Sequence, residues 1–148
     1  MEISVLKVPK ENGEKLTIEC HEVTQEINSI VKYVKSLQGT ITGELDDRNY
    51  EISVGDIYYI ESVDNKTYLY TKTKVFQARE KLYELEKVLE AASFIRISKA
   101  VIVNLMKIKS IKPAFNGRFS ATLTNGEEVI ISRKYVVEFR EKLKGGEK

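Results

Sequence analysis

Residues 94–119, FIRISKAVIVNLMKIKSIKPAFNGRF, decide the fold. Phe94-Ile95-Arg96-Ile97 and Ala100-Val101-Ile102-Val103 are short runs rich in β-branched and aromatic side chains, and the polar pair Ser98-Lys99 breaks them. Asn104 ends the second run, and its expected task is to hydrogen-bond nearby backbone where the strand stops. Asn116-Gly117 then signals a hairpin, because a type I′ turn needs positive φ at both central residues, and Asn125-Gly126 signals another. The region is therefore mostly β. Any reading of a nucleic acid would fall to loops or strand ends, not to a helix-turn-helix.

The same 26 residues hold six bases (Arg96, Lys99, Lys107, Lys109, Lys112 and Arg118) and no acid. Residues 1–93 carry a net charge of −5 and residues 94–148 a net charge of +7, an asymmetry hidden in the overall +2. A field of one sign suits a polyanion, since every neutralised phosphate releases counterions. A merely solvated basic face would look the same on charge alone.

Outward toward the C-terminus, Tyr135, Val136, Phe139 and Leu143 form the apolar side of a short helix beginning after Ser132. Arg133 and Lys134 stand at its start, where cations oppose the helix dipole, so helix stability does not explain them. A phosphate or a guanine edge would. Toward the N-terminus, Ala78, Leu82, Leu85 and Leu89 share one face of a helix expected over residues 78–91. Between 40 and 73 the period is two. Segments 41–45, 50–54, 57–61 and 67–73 read as an antiparallel meander, with turns at 46–49 and at Asp64-Asn65-Lys66. The first 39 residues read as strand (Ile3, Val5, Val8), turn (Asn12-Gly13), strand (Leu16, Ile18) and a helix capped by Thr24. The stripe of that helix is Ile27, Ile30, Val31, Val34 and Leu37, and its stop is Gly39.

Length, 42% hydrophobic content and eight Tyr with five Phe fit one β-leaning domain with a modest extension. There is no apolar run long enough to span a bilayer and no signal peptide at the start, so a soluble, cytoplasmic protein without membrane insertion is expected. The lone Cys20 and lone His21 supply neither a disulfide nor a metal site. Phosphate-loop and dinucleotide motifs are missing, and Asp46-Asp47 read as a solvated turn. No catalytic constellation is visible, and neither an enzyme nor a cofactor is expected.

GDIYYIESVDNKTYLYT (55–71), KLYELEKVL (81–89), FIRISKAVIVNLMKIKSI (94–111) and ISRKYVVEFREKL (131–143) resemble, in that order, the LytTR DNA-binding domain. The resemblance covers roughly residues 40–144. It implies a mainly β (α+β) fold of short antiparallel sheets with small helices, preceded here by a strand-strand-helix extension. It also implies binding of double-stranded DNA by loops that enter successive major grooves, commonly at paired repeat sites. Its contacts map onto Asn65, Lys66 and Thr67 after YIES, onto Ser98-Lys99 after F-RI, and onto Arg133 followed by Lys134. Ser98 and Ala100 depart from the usual His and Ser, so no base preference carries over. The expected organisation is an extension over 1–39, serving as a homodimerisation element, and a DNA-binding domain over 40–148. Lys66, Lys99, Arg133 and Lys134 are the expected DNA contacts. The competing expectation is a protein or RNA interaction module using the same basic sheet.

Overall fold

A computed structural model describes residues 1–144, and for Lys32, Lys35, Ser36 and Leu37 it describes the backbone only. Leu37 of the expected stripe and residues 145–148 of the expected 40–148 domain thus lie outside the described side chains or residues.

Among the described residues three α-helices and ten strands follow in the order α1 (Gln25–Leu37), β1 (Thr40–Leu45), β2 (Arg48–Ser53), β3 (Tyr59–Val63), β4 (Lys66–Tyr70), β5 (Val75–Ala78), α2 (Leu82–Val88), β6 (Phe94–Ser98), β7 (Val101–Asn104), β8 (Ile108–Pro113), β9 (Phe119–Leu123), β10 (Glu128–Ile131) and α3 (Val136–Leu143). Seven strands pair in the order β2-β1-β5-β4-β3-β7-β6, and three in the order β10-β9-β8, all antiparallel. Of the expected meander over 41–73, the β1–β2 and β3–β4 pairs form, but β2 does not pair with β3. The β1–β2 hairpin instead joins on β5, because Gly43 sits opposite Ala78 with no room for a side chain: a Cβ there would lie 2.6 Å from Cβ of Phe76.

Two cores follow from strand alternation. One face of the large sheet buries Ile41, Ile52, Ile60, Leu69, Phe76 and Ile102 under Leu82, Leu85 and Leu89 of the α2 region. The other face, at the β7–β6 end, buries Val103 and Ile97 with Ala121, Leu123 and Ile131 of the small sheet and Phe139 of α3. Asn104 joins the layers and is 1% exposed. Its Nδ2 donates to the Ile57 carbonyl at 2.9 Å, and its Oδ1 accepts from Ser93 Oγ and the Met106 backbone N–H at 2.9 and 3.0 Å. The backbone role expected for it is the observed one, and every buried polar atom of its amide head has a partner.

Turn chemistry explains the hairpins and several boundary corrections. Asp46-Asp47 and Asp64-Asn65 have positive φ at both residues, so two-residue turns of I′ type close β1–β2 and β3–β4; Asn116-Gly117 also has positive φ at both residues, at the centre of the five-residue connection 114–118 between β8 and β9. Lys66 and Thr67 therefore belong to β4 and not to a loop, and Thr67 is buried. At Asn125-Gly126 only Gly126 has positive φ. Its N–H donates to the Leu123 carbonyl at 2.9 Å, which makes a three-residue loop in place of the expected I′ turn. Ala78 lies in β5 instead of α2, and Leu143 is 39% exposed instead of buried.

The N-terminal extension contains its helix but not its two strands. Residues 1–24 hold one turn near Asn12 and no strand, and Ile3, Val5 and Leu16 are exposed. Alternation suffices for a strand only where an edge accepts the ladder, and no edge pairs with this segment. The helix is capped as expected, Thr24 Oγ1 accepting from the Ile27 N–H at 3.2 Å. Ile27 is buried where α1 meets the short 3-10 turn Val54–Asp56, whereas Ile30 and Val31 stay 39% and 36% exposed.

Candidate nucleic-acid interface

Strand pairing carries the expected contact residues to one end of the large sheet. β3 ends at Val63, opposite Lys66, and the Ser62 N–H donates to the Ala100 carbonyl at 2.8 Å. The Asp64-Asn65 turn and the Lys99-Ala100 turn are therefore neighbours. On the far side of β6, the Ser132 N–H donates to the Ile97 carbonyl at 2.8 Å, which sets the Arg133 turn beside Ser98-Lys99. Phe119 pairs with Ile131, so the Asn116-Gly117 turn reaches the same end. Lys66, Lys99, Arg133 and Lys134 are all exposed there.

Each turn is held by its neighbours. Asn65, strained at φ 65, is pinned by Lys81, whose Nζ donates to its carbonyl and its Oδ1 at 3.4 and 3.3 Å. The β6–β7 turn is gripped by Arg96. Its Nε donates to the Ser98 carbonyl at 3.1 Å, its Nη2 to the Lys99 carbonyl, and its Nη1 pairs with Glu86 of α2 at 2.7 Å. A guanidinium suits this task because its fixed fork serves three acceptors at once. Arg133 and Lys134 lie in a 3-10 turn, not in the first turn of α3, which begins at Val136. The Arg133 stem packs against the β8–β9 turn: a Cβ on Gly117 would meet its Cδ at 3.0 Å. Lys134 Nζ lies 5.9 Å from the Tyr135 ring centroid. α3 is itself fastened to β6 by Lys142, whose Nζ donates to the Phe94 carbonyl at 2.8 Å, and burial lowers the pKa of that amine.

The basic stretch divides in space. Arg96 is consumed by Glu86 and by the turn it grips. Lys107 lies 5.0 Å from the centroid of Tyr58, which precedes β3 and sits at the opposite end from the four turns. Lys109, Lys112 and Arg118 are exposed on or beside β8. The positioning roles of Arg96 and Lys81 escaped the sequence reading: Arg96 is two residues from the turn it holds, but Lys81 is sixteen residues from Asn65, so nothing local marks it. Replacing Arg96 by Met should cost about 1.5 kcal/mol of stability, the scale of hydrogen bonds from a charged donor. It should also loosen the Lys99 turn. Glu86→Gln, which keeps both carbonyl contacts, should change little, and chemical denaturation of the two variants checks the contrast.

Opposite the turns, Tyr59 and Tyr70 stack with centroids 4.2 Å apart. Burial, with Glu127 beside Tyr59 and Glu61 beside Tyr70, raises both phenol pKa values, so both hydroxyls stay protonated donors at neutral pH. The cleft beside Lys66, about 310 Å³, is lined by polar side chains including Asn49, Gln77, Arg79 and Lys81. Among the described residues no cluster of His, Cys, Asp and Glu could hold a metal ion, and no helix is long and apolar enough to cross a membrane.

Comparison with known proteins matches residues 47–144 to the family model of the LytTr DNA-binding domain. The sensory transduction protein LytT of Enterococcus faecalis is 36% identical over 116 residues, covering 78% of this chain and 47% of the relative. The chain thus spans about half the length of that relative. A protein of Staphylococcus aureus named as an HTH-type transcriptional regulator is 28% identical over 145 residues, with 97% of this chain and 98% of that protein covered. A solved LytTr DNA-binding domain from Bacillus cereus superposes with a TM-score of 0.66 at 31% identity, covering 72% of this chain and 97% of that one. No helix-turn-helix occurs among the described residues, because five strands separate α1 from α2 and five more separate α2 from α3.

Proposed function

Since the chain belongs to the LytTr DNA-binding domain family, we propose that it is a sequence-specific regulator of transcription that reads double-stranded DNA through turns, not through a helix. The observation that carries this reading is the convergence of Lys66, Lys99, Arg133 and Lys134 at one sheet end, on or beside turns fastened by Lys81, Arg96 and the Ser132–Ile97 bond. Arg133 and Lys99 act as the principal readers in successive major grooves, and Lys66 and Lys134 hold phosphates. Turns whose backbones are already fixed lose little further backbone freedom on binding, which favours contacts that depend on geometry.

Residues 40–148 form the DNA-binding part and residues 1–39 the extension. The exposed Ile30 and Val31 of α1 suit a second copy of the chain, and a two-fold dimer would engage paired repeats. The reading implies a cytoplasmic protein without catalysis. Light scattering should show that Ile30→Asp together with Val31→Asp converts a dimer to a monomer. A dimer that survives both changes removes α1 from the interface.

Binding to duplex DNA selected from a random library, in competition with single strands and with RNA, tests the central reading. Duplex should win, and the logarithm of the affinity should fall linearly with the logarithm of salt concentration. Preference for RNA or single strands would favour the interaction-module alternative.

A further inference from the structure

Phe115 is 78% exposed at the tip of the β8–β9 hairpin. A turn needs Asn116 and Gly117, whose φ values are 59° and 74°, but nothing about a I′ turn requires a phenyl ring. The tip is also internally tied and cannot readily fold the ring inward. The Ala114 N–H donates to the Arg118 carbonyl at 2.8 Å, and Arg118 Nε donates back to the Phe115 carbonyl at 3.0 Å. The same hairpin carries the exposed Lys112 and Arg118, and the Arg133 stem lies against Gly117 of the same turn. An exposed ring on a hairpin that carries Lys112 and Arg118 and no acid is a poor match for an apolar partner and a good one for a polyanion that carries apolar features.

Resting on the reading of Arg133 as a groove contact, we infer that Phe115 is a further DNA contact, inserted into the same major groove and packed on the C5-methyl group of a thymine. The close packing of Gly117 on Arg133 makes the two side chains travel together: a guanidinium lowered into a groove carries the turn to its edge. A phenyl ring cannot hydrogen-bond a base edge. In the major groove the thymine methyl is the apolar feature it can cover. Arg133 and Phe115 would then read adjacent base pairs by different chemistry, one by hydrogen bonds and the other by burial.

The test uses the full chain and a duplex selected by it from a random library, with each thymine replaced in turn by deoxyuridine. Removing one buried methyl should weaken wild-type binding about three- to fivefold at a single thymine near the Arg133 contact. Phe115→Ala should bind the thymine duplex more weakly by at least that factor and be indifferent to the deoxyuridine change at that position, with an unchanged melting temperature because the ring is exposed. The inference is overturned if Phe115→Ala and wild type respond alike to every deoxyuridine, if the selected sites carry no thymine preference, or if Phe115→Ala loses only single-strand binding. An Arg133→Ala chain that binds the selected duplex like wild type would instead remove the underlying reading, so the two failures are distinguishable.

Discussion

Phe139→Ala should lower the stability of the protein by about 3–5 kcal/mol, the range for deleting a fully buried aromatic ring and leaving a cavity. Phe139 is the largest of the fully buried side chains and is 0% exposed. It fills the space between the large sheet and the small one, among Ile97, Val103, Leu123 and Ile131. The loss has a functional side, because α3 follows directly on the turn that holds Arg133 and Lys134. With the ring gone, that turn would keep the Ser132–Ile97 hydrogen bond and the Lys142–Phe94 contact but lose its apolar anchor. Denaturant unfolding should show a lower midpoint with an unchanged slope. Phe139→Leu, which leaves a smaller void, should recover much of the difference. A midpoint for Phe139→Ala within experimental error of wild type would mean that the two layers do not depend on this ring.

Arg133→Ala should weaken binding to a selected duplex by about 1–3 kcal/mol, roughly five- to 150-fold, while binding to unrelated duplex falls much less. Arg133 is exposed and its side chain makes no hydrogen bond or ion pair with another described residue, so its removal should leave stability near wild type. Lys134→Ala should behave differently, weakening all sequences alike and flattening the salt slope by about one counterion. The contrast separates a base reader from a phosphate clamp. Titration of both variants against matched and unmatched duplexes, at two salt concentrations, measures it. Equal losses for both variants on both duplexes would assign Arg133 to the backbone, and no loss in either would move the interface elsewhere.

Much of the fold is legible in the chain itself, and the reasons are local. The β-rich runs in Phe94–Ser98 and Val101–Asn104, the Asn116-Gly117 turn and the stripe that includes Phe139 each need only a few neighbouring residues to be recognised. The family likeness rests on the order of such short signals. Long-range pairing leaves no such trace. Nothing in Ile3, Val5 or Leu16 says that no edge will accept them, and nothing in Thr40–Leu45 says that it will pair with Val75–Ala78, a strand of which the sequence reading assigned only Ala78, and that to α2.

The expected contact residues were likewise visible as polar or basic interruptions between apolar runs. Residue order alone therefore determined that this is a β-rich domain of the LytTr kind, with cations at its turns, because turn type and strand period are properties of adjacent residues. Tertiary structure alone decided which cations are free. Glu86 is ten residues from Arg96 in the chain and 2.7 Å from it in space, and Gly117 meets Arg133 only through the pairing of β9 with β10. Charge counted along the chain includes every base equally, whereas availability depends on which acids, carbonyls and rings the fold brings within a few ångströms.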